Sequence, residues 1–146
     1  MLAKFKKRLK NRLLRRNCNY DYATFHVDEL SIFQFSGWIY GSASEKLSDS
    51  IVAFTLNDTK VCETEASISR EDLSESGIGD CGFSVEPNWQ VFEEGENAVV
   101  MYFNDVPVHV FNIYVTRKQL LVAMTRQVHR QIDLAKTEII NAMNNK

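Results

Sequence analysis

Apolar and polar positions follow three regimes along the chain. Over residues 2–16, LAKFKKRLKNRLLRR, the residues Leu2, Phe5, Leu9 and Leu13 recur at helical spacing among mostly cationic neighbours. That spacing predicts a basic helix with a narrow apolar edge. From about residue 20 to 115 the period shortens to two and turn signals recur at short intervals, as in an antiparallel sandwich. Strands are expected near 22–27, 32–40, 50–56, 60–67, 82–86, 98–103 and 109–115, with Asn57-Asp58-Thr59 and Asn104-Asp105-Val106-Pro107 as hairpin-type turns. Residues 70–76 form the one helical interruption. After Thr116, the expected N-cap, about 28 residues run without glycine or proline.

In that last segment Leu121, Thr125, Val128, Ile132, Ala135, Ile139 and Ala142 succeed one another at spacings of four and three. This is the a/d rhythm of a helix that packs along another helix. Two readings follow: the helix lies on the protein's own sandwich, or Leu121, Val128, Ile132 and Ile139 mediate association with another chain. The expected fold is therefore mainly β, an antiparallel β-sandwich of about seven strands flanked by a basic amphipathic N-terminal helix and a long C-terminal helix. Its parts are residues 1–18, 19–115 and 116–146.

With 146 residues and 45% hydrophobic content, the chain has enough apolar surface for one core. Its net charge of −2 conceals a segregation: residues 1–16 carry +8, residues 17–116 carry −14 and the remainder +4. An acidic body thus stands between two basic ends. The longest apolar run, AVVMYF at 98–103, is far short of the roughly 20 residues a membrane-spanning helix needs. The cationic N-terminus lacks the apolar stretch of a signal peptide. The three cysteines, Cys18, Cys62 and Cys81, show no C-x-x-C spacing and fit a reducing compartment, with a Cys62–Cys81 bridge as the alternative.

Candidate chemistry is sparse. GIGDCG at 77–82 matches the dinucleotide fingerprint G-x-G-x-x-G, but that motif needs a strand before it and a helix after it, and here the order is reversed. These glycines read as turn residues supplying positive φ. His26, His109 and His129 lie in no metal-ligand pattern, Gly41-Ser42-Ala43-Ser44 is no nucleophile elbow, and no calcium-loop rhythm occurs. Neither a catalytic constellation nor a cofactor is expected.

The aromatic residues carry more. In IFQFSGWIY, alternation sends Phe33, Phe35 and Ile39 to the core face and Gln34, Ser36, Trp38 and Tyr40 to the other. Trp38 and Tyr40, beside the Gln34 amide, suit stacking on a sugar ring or anchoring a partner. The alternative is a bulge at Gly37 that turns Trp38 inward, or a helix covering this face. For the basic helix three readings compete: an anionic membrane surface, nucleic acid, or an arm paired with an acidic protein surface. Nucleic acid is disfavoured by the −14 body. Lipid would draw in the helix and hold the body away. Its contact residues would be Leu2, Phe5, Leu9 and Leu13, with Lys6, Lys7, Arg8, Lys10, Arg12, Arg15 and Arg16.

FSGWIYGSAS (35–44), VAFTLNDTKV (52–61) and ISREDLSESGIGDCGFSV (68–85) together resemble a small bacterial β-sandwich module appended to glycosyltransferases and other proteins of surface-polysaccharide assembly. That module runs through a G-W strand, a D-G-x-x-V-like hairpin, an R-x-D-L segment and A-G-I-G-D-G-x-x-G-F. The likeness spans Phe35 to Phe111, and its specific part is Arg70, Asp72 and Leu73 with Gly77, Ile78, Gly79, Asp80, Gly82 and Phe83. The chain departs from it in lacking Asp-Pro after Trp38, in its Asn-Asp turn and in a shorter loop at Cys81. The resemblance implies a non-catalytic sandwich that accompanies polysaccharide enzymes, with Arg70 pairing Asp72 or Asp80. The resulting expectation is a cytoplasmic accessory protein, peripheral on the inner membrane, that binds glycan or a glycosyltransferase. The competing one is a homo-oligomeric scaffold built by the C-terminal helix and basic arm.

Overall fold

A computed structural model describes residues 2–41 and 50–145. Its elements, in chain order, are α1 (Leu2–Arg16), β1 (Ala23–Leu30), β2 (Phe35–Gly41), β3 (Ile51–Leu56), β4 (Thr59–Glu65), α2 (Glu71–Glu75), β5 (Gly82–Val85), β6 (Gly95–Phe103), β7 (Val106–Val115) and α3 (Arg117–Asn144). A single 3-10 turn, Trp89–Val91, precedes β6. Among the described residues the strands form two antiparallel sheets, β1-β2-β5 and β4-β3-β6-β7. The core between them is built from Phe35 and Ile39 of β2, Val52 and Phe54 of β3, Phe83 of β5, and Val99, Met101 and Phe103 of β6. Phe35 and Phe54 meet edge to face, centroids 4.8 Å apart, a geometry that aromatic quadrupoles favour.

Local chemistry explains the turns. Asn57, Asp58, Asn104 and Asp105 all adopt positive φ, so both two-residue hairpins have the left-handed conformation that Asn and Asp tolerate and that matches strand twist. Residues 77–82 form the end of a helix and the start of a strand. Gly77, at φ 73°, follows α2; its N–H donates to Ser74 O (3.2 Å) and the Ile78 N–H to Leu73 O (2.9 Å). This is the paired bonding of a Schellman cap, which requires a left-handed residue there. Gly79 has no positive φ, so of the expected turn glycines in this motif only Gly77 supplies one.

Several sequence expectations change. β2 begins at Phe35, leaving Phe33 before the strand and half-buried, with the Arg126 guanidinium 4.5 Å above its ring. Cys62 and Cys81 are buried free thiols, which excludes the Cys62–Cys81 bridge here. Burial pushes the Cys62 thiol up to about 12. Thr116 caps α3 as expected: its hydroxyl accepts from Gln119 N (3.2 Å) and the Gln119 side chain accepts from Thr116 N (2.9 Å), a complete capping box.

Candidate functional site

β2 is the middle strand of the three-stranded sheet, so its outward side chains have neighbours on both flanks. Alternation buries Phe35 and Ile39 and turns Ser36, Trp38 and Tyr40 outward, half-exposed. The Trp38 and Tyr40 rings are nearly parallel, 11° apart in plane with centroids 5.7 Å apart. Register sets His26 of β1 opposite Trp38, and their rings stand 6.2 Å apart. The expected alternative of a bulge at Gly37 does not occur. The bulge is in the partner strand at Asp28, between Val27 and Glu29. Gly37 is instead a point of close approach: a Cβ there would lie 2.2 Å from the His26 carbonyl oxygen. No described helix forms substantial contacts with β1, β2 or β5.

On the other flank Gly82 of β5 lies opposite Trp38. The space its missing side chain leaves is taken by the Arg70 stem, whose Cδ would be 3.1 Å from a Cβ at that position. The Arg70 guanidinium holds Asp72 with two bonds of 3.0 and 3.1 Å and also donates to Asp28. These bonds raise the Arg70 pKa and hold the Asp72 carboxyl below its usual range. Asp28 in turn stands 3.5 Å from His26 Nε2. The pairing foreseen between Arg70 and Asp72 is present; its second partner is Asp28, not Asp80. The bulge presents that carboxylate, because an extra residue re-aims the side chain.

At the opposite end Gln34 Nε2 donates to Ser84 Oγ (2.6 Å), and Ser84 pairs with Ser36 across the strands. The face therefore runs about 20 Å from Tyr40 to Gln34, at roughly 3.3 Å per residue. It offers an aromatic pair, an imidazole, an amide and two hydroxyls. Arg70 is saturated by two carboxylates, so Asp28, Arg70 and Asp72 together contribute −1, which disfavours anionic ligands. Gln34 also borders a cleft of about 550 Å³ between α3 and the segments carrying Ile32 and Trp89. Sequence reasoning placed Trp38, Tyr40 and Gln34 on this face and missed His26 and Asp28. Ser42 to Ser44 lie outside the described residues.

α1 lies against β7. Lys7 Nζ donates to the Glu96 carbonyl, Lys10 Nζ to Asn57 Oδ1 (3.1 Å), and Asn19 N to Pro107 O (2.8 Å). Asn11 and Leu14 are half-buried on the same side. The expected apolar edge points away: Leu2, Phe5, Leu9 and Leu13 are 70, 66, 50 and 53% exposed. On a helical wheel the two faces are about 145° apart. Arg8 and Arg12 flank the edge on one side and Lys6 on the other. Among the described residues no cation of α1 forms an ion pair.

α3 packs on the sandwich over its first half. Ala123 is buried and Leu120 half-buried against the core. Gln127 Oε1 accepts from Trp89 Nε1 (3.0 Å) and Gln90 Nε2 (3.3 Å), and Arg130 pairs with Glu86 at 2.6 Å. From residue 131 to 145 every residue is exposed. Leu121, Val128, Ile132 and Ile139, expected from their spacing as association residues, are 46–61% exposed.

Among the described residues no group of three His, Cys, Asp or Glu side chains could hold a metal ion, and no helix is long and apolar enough to cross a membrane. Comparison of the chain with protein-family models, with curated proteins and with solved structures returned no match.

Proposed function

We infer that the protein is a non-catalytic recognition protein of a membrane surface, of the kind that accompanies polysaccharide or glycoconjugate assembly. α1 docks on anionic lipid, and the outer face of the β1-β2-β5 sheet receives a neutral saccharide. The observation that supports this most is the orientation of α1: its body-facing side takes Lys7 and Lys10, while Leu2, Phe5, Leu9 and Leu13 face outward between arginines and lysine. An amphipathic helix so mounted can bury its edge at the headgroup boundary without leaving the body. Each remaining cation near anionic headgroups contributes about 1 kcal/mol. The acidic body, at −14 over residues 17–116, is repelled by the same surface.

Saccharide binding is supported by the Trp38–Tyr40 pair with Gln34, Ser36 and Ser84 around it. The saturated Arg70 points to neutral rather than acidic sugars. Flotation of the full chain with phosphatidylglycerol vesicles at low ionic strength tests the docking. Co-flotation that disappears when residues 1–16 are removed is expected; a full chain that stays at the bottom overturns it. Fluorescence titration with neutral and acidic oligosaccharides tests the face. Trp38→Ala should abolish the response while Trp89 remains as an internal reporter; an unchanged response in that variant removes Trp38 from the site.

A further inference from the structure

We propose that the cleft beside Gln34 is a second saccharide subsite, continuous with the outer face of the β1-β2-β5 sheet, so that the ligand is a neutral oligosaccharide rather than a single sugar. This rests on the saccharide reading of Trp38 and Tyr40, and it specifies the length and path of what they hold.

Register places the cleft. Phe35 opens β2 opposite Leu30 of β1 and Val85 of β5, so the segments carrying Ile32 and Glu86 both leave the sheet at the end where Gln34 stands. The Ala123 to Arg130 stretch of α3 closes the other side and leaves about 550 Å³ between them. Sites for small organic ligands commonly enclose about 300–1,000 Å³. Gln34 belongs to both surfaces: its Nε2 donates to Ser84 Oγ on the sheet face, and the same residue lines the cleft.

The lining chemistry selects the ligand class. Gln127 Oε1 is occupied by Trp89 Nε1 and Gln90 Nε2, which fixes the amide and leaves its Nε2 without a partner among the described residues. Arg126 lies flat enough over Phe33 to stand 4.5 Å from the ring centre, and among the described residues it enters no ion pair. A guanidinium held over a ring keeps its in-plane N–H groups for a ligand. The two glutamates of the lining, Glu29 and Glu86, offset its two arginines, Arg126 and Arg130, and Arg130 already pairs with Glu86 at 2.6 Å. The cleft is therefore neutral and offers donors and acceptors together. An anion would meet both carboxylates and a cation both guanidinium groups, whereas a hydroxyl donates and accepts. Phe33 and Trp89 add aromatic surface for the apolar face of a sugar ring.

Trp38 is four residues from Gln34, about 13 Å at 3.3 Å per residue. A disaccharide stacked on Trp38 and Tyr40 stops short of the cleft; a longer chain reaches it. Once one end is held, engagement of the second subsite is intramolecular, so affinity rises with chain length.

The probes are gluco-, manno- and galacto-oligosaccharides from disaccharide to hexasaccharide. The full chain has two tryptophans, hence two indole N–H signals in the nitrogen–proton correlation spectrum of isotope-labelled protein, assigned with Trp89→Phe. Disaccharides should shift the Trp38 signal alone and hexasaccharides of the same series both signals, with a dissociation constant lower by at least about tenfold. Arg126→Ala/Gln127→Ala should weaken hexasaccharide binding about tenfold while leaving disaccharide binding within about twofold. Should that variant unfold, the indole shifts of the parent still decide. A hexasaccharide that shifts Trp38 alone, one that binds no more tightly than the disaccharide, a disaccharide that shifts both signals, or a folded double variant that binds hexasaccharide as the parent does overturns the second subsite and leaves the sheet face standing. Probes that all leave Trp38 unmoved overturn the saccharide reading and this inference with it.

Discussion

Replacing Phe5 and Leu9 by alanine separates the apolar edge of α1 from its charge. Phe5 and Leu9 are 66% and 50% exposed in the free protein, so about two-thirds of one side chain and half of the other remain to be buried by lipid. Full burial of such a side chain contributes about 1.5–3 kcal/mol. The exposed fractions therefore correspond to about 1–2 kcal/mol each, and the pair to about 2–3 kcal/mol after allowing for the methyl groups alanine retains. Vesicle partitioning should weaken roughly a hundredfold, measured by co-sedimentation with phosphatidylglycerol-containing vesicles against lipid concentration. All eight cations of residues 1–16 are untouched, so the residual binding should still fall as salt rises. Neither side chain is covered in the fold, and surface changes of this kind usually alter stability by less than about 0.5 kcal/mol. A double variant that partitions within threefold of the parent would refute the reasoning; so would one whose lost binding merely tracks a lost fold.

Gly37→Ala should be severe for so small a change. Its Cβ would meet the His26 carbonyl oxygen at 2.2 Å and Val27 Cα at 2.9 Å, both backbone, so β1 must move; a loss of about 3 kcal/mol or more is expected in urea denaturation, and a loss under about 1 kcal/mol would show that the strands yield easily. Stability should also fall on mild acidification because of His109. Burial, and secondarily Arg15, hold its pKa below the ordinary 6.5, so the unfolded chain binds the proton more readily. The stabilisation is complete above pH 6.5 and is lost as pH falls through that value towards the lower folded one. His109→Phe should flatten the slope of thermal midpoint between pH 7.5 and 5.5, and an unchanged slope would assign the effect elsewhere.

Much of this architecture was legible because its causes are local. Thr116 and Gln119 cap the same helix they open, the Asn-Asp pairs adopt left-handed backbone by their own side-chain chemistry, and alternation from Phe35 to Tyr40 states which side chains share a face. The outward positions of Trp38 and Tyr40, and the amphipathicity of α1, follow from that periodicity. Period alone does not say which strand lies beside which. That β5 joins β2 while β3 and β4 join β6, that Asp28 bulges, and that Arg70 reaches a carboxylate 42 residues away are settled by cross-chain packing. His26 entered the candidate site only through that register. The heptad of α3 was equally plain in the sequence, but its direction was not: the same seam could have closed on the sandwich. Tertiary structure turned it away because the end of the sandwich offered the core to Leu120 and Ala123 and polar partners to Gln127 and Arg130. A helix can seat only one face at a time.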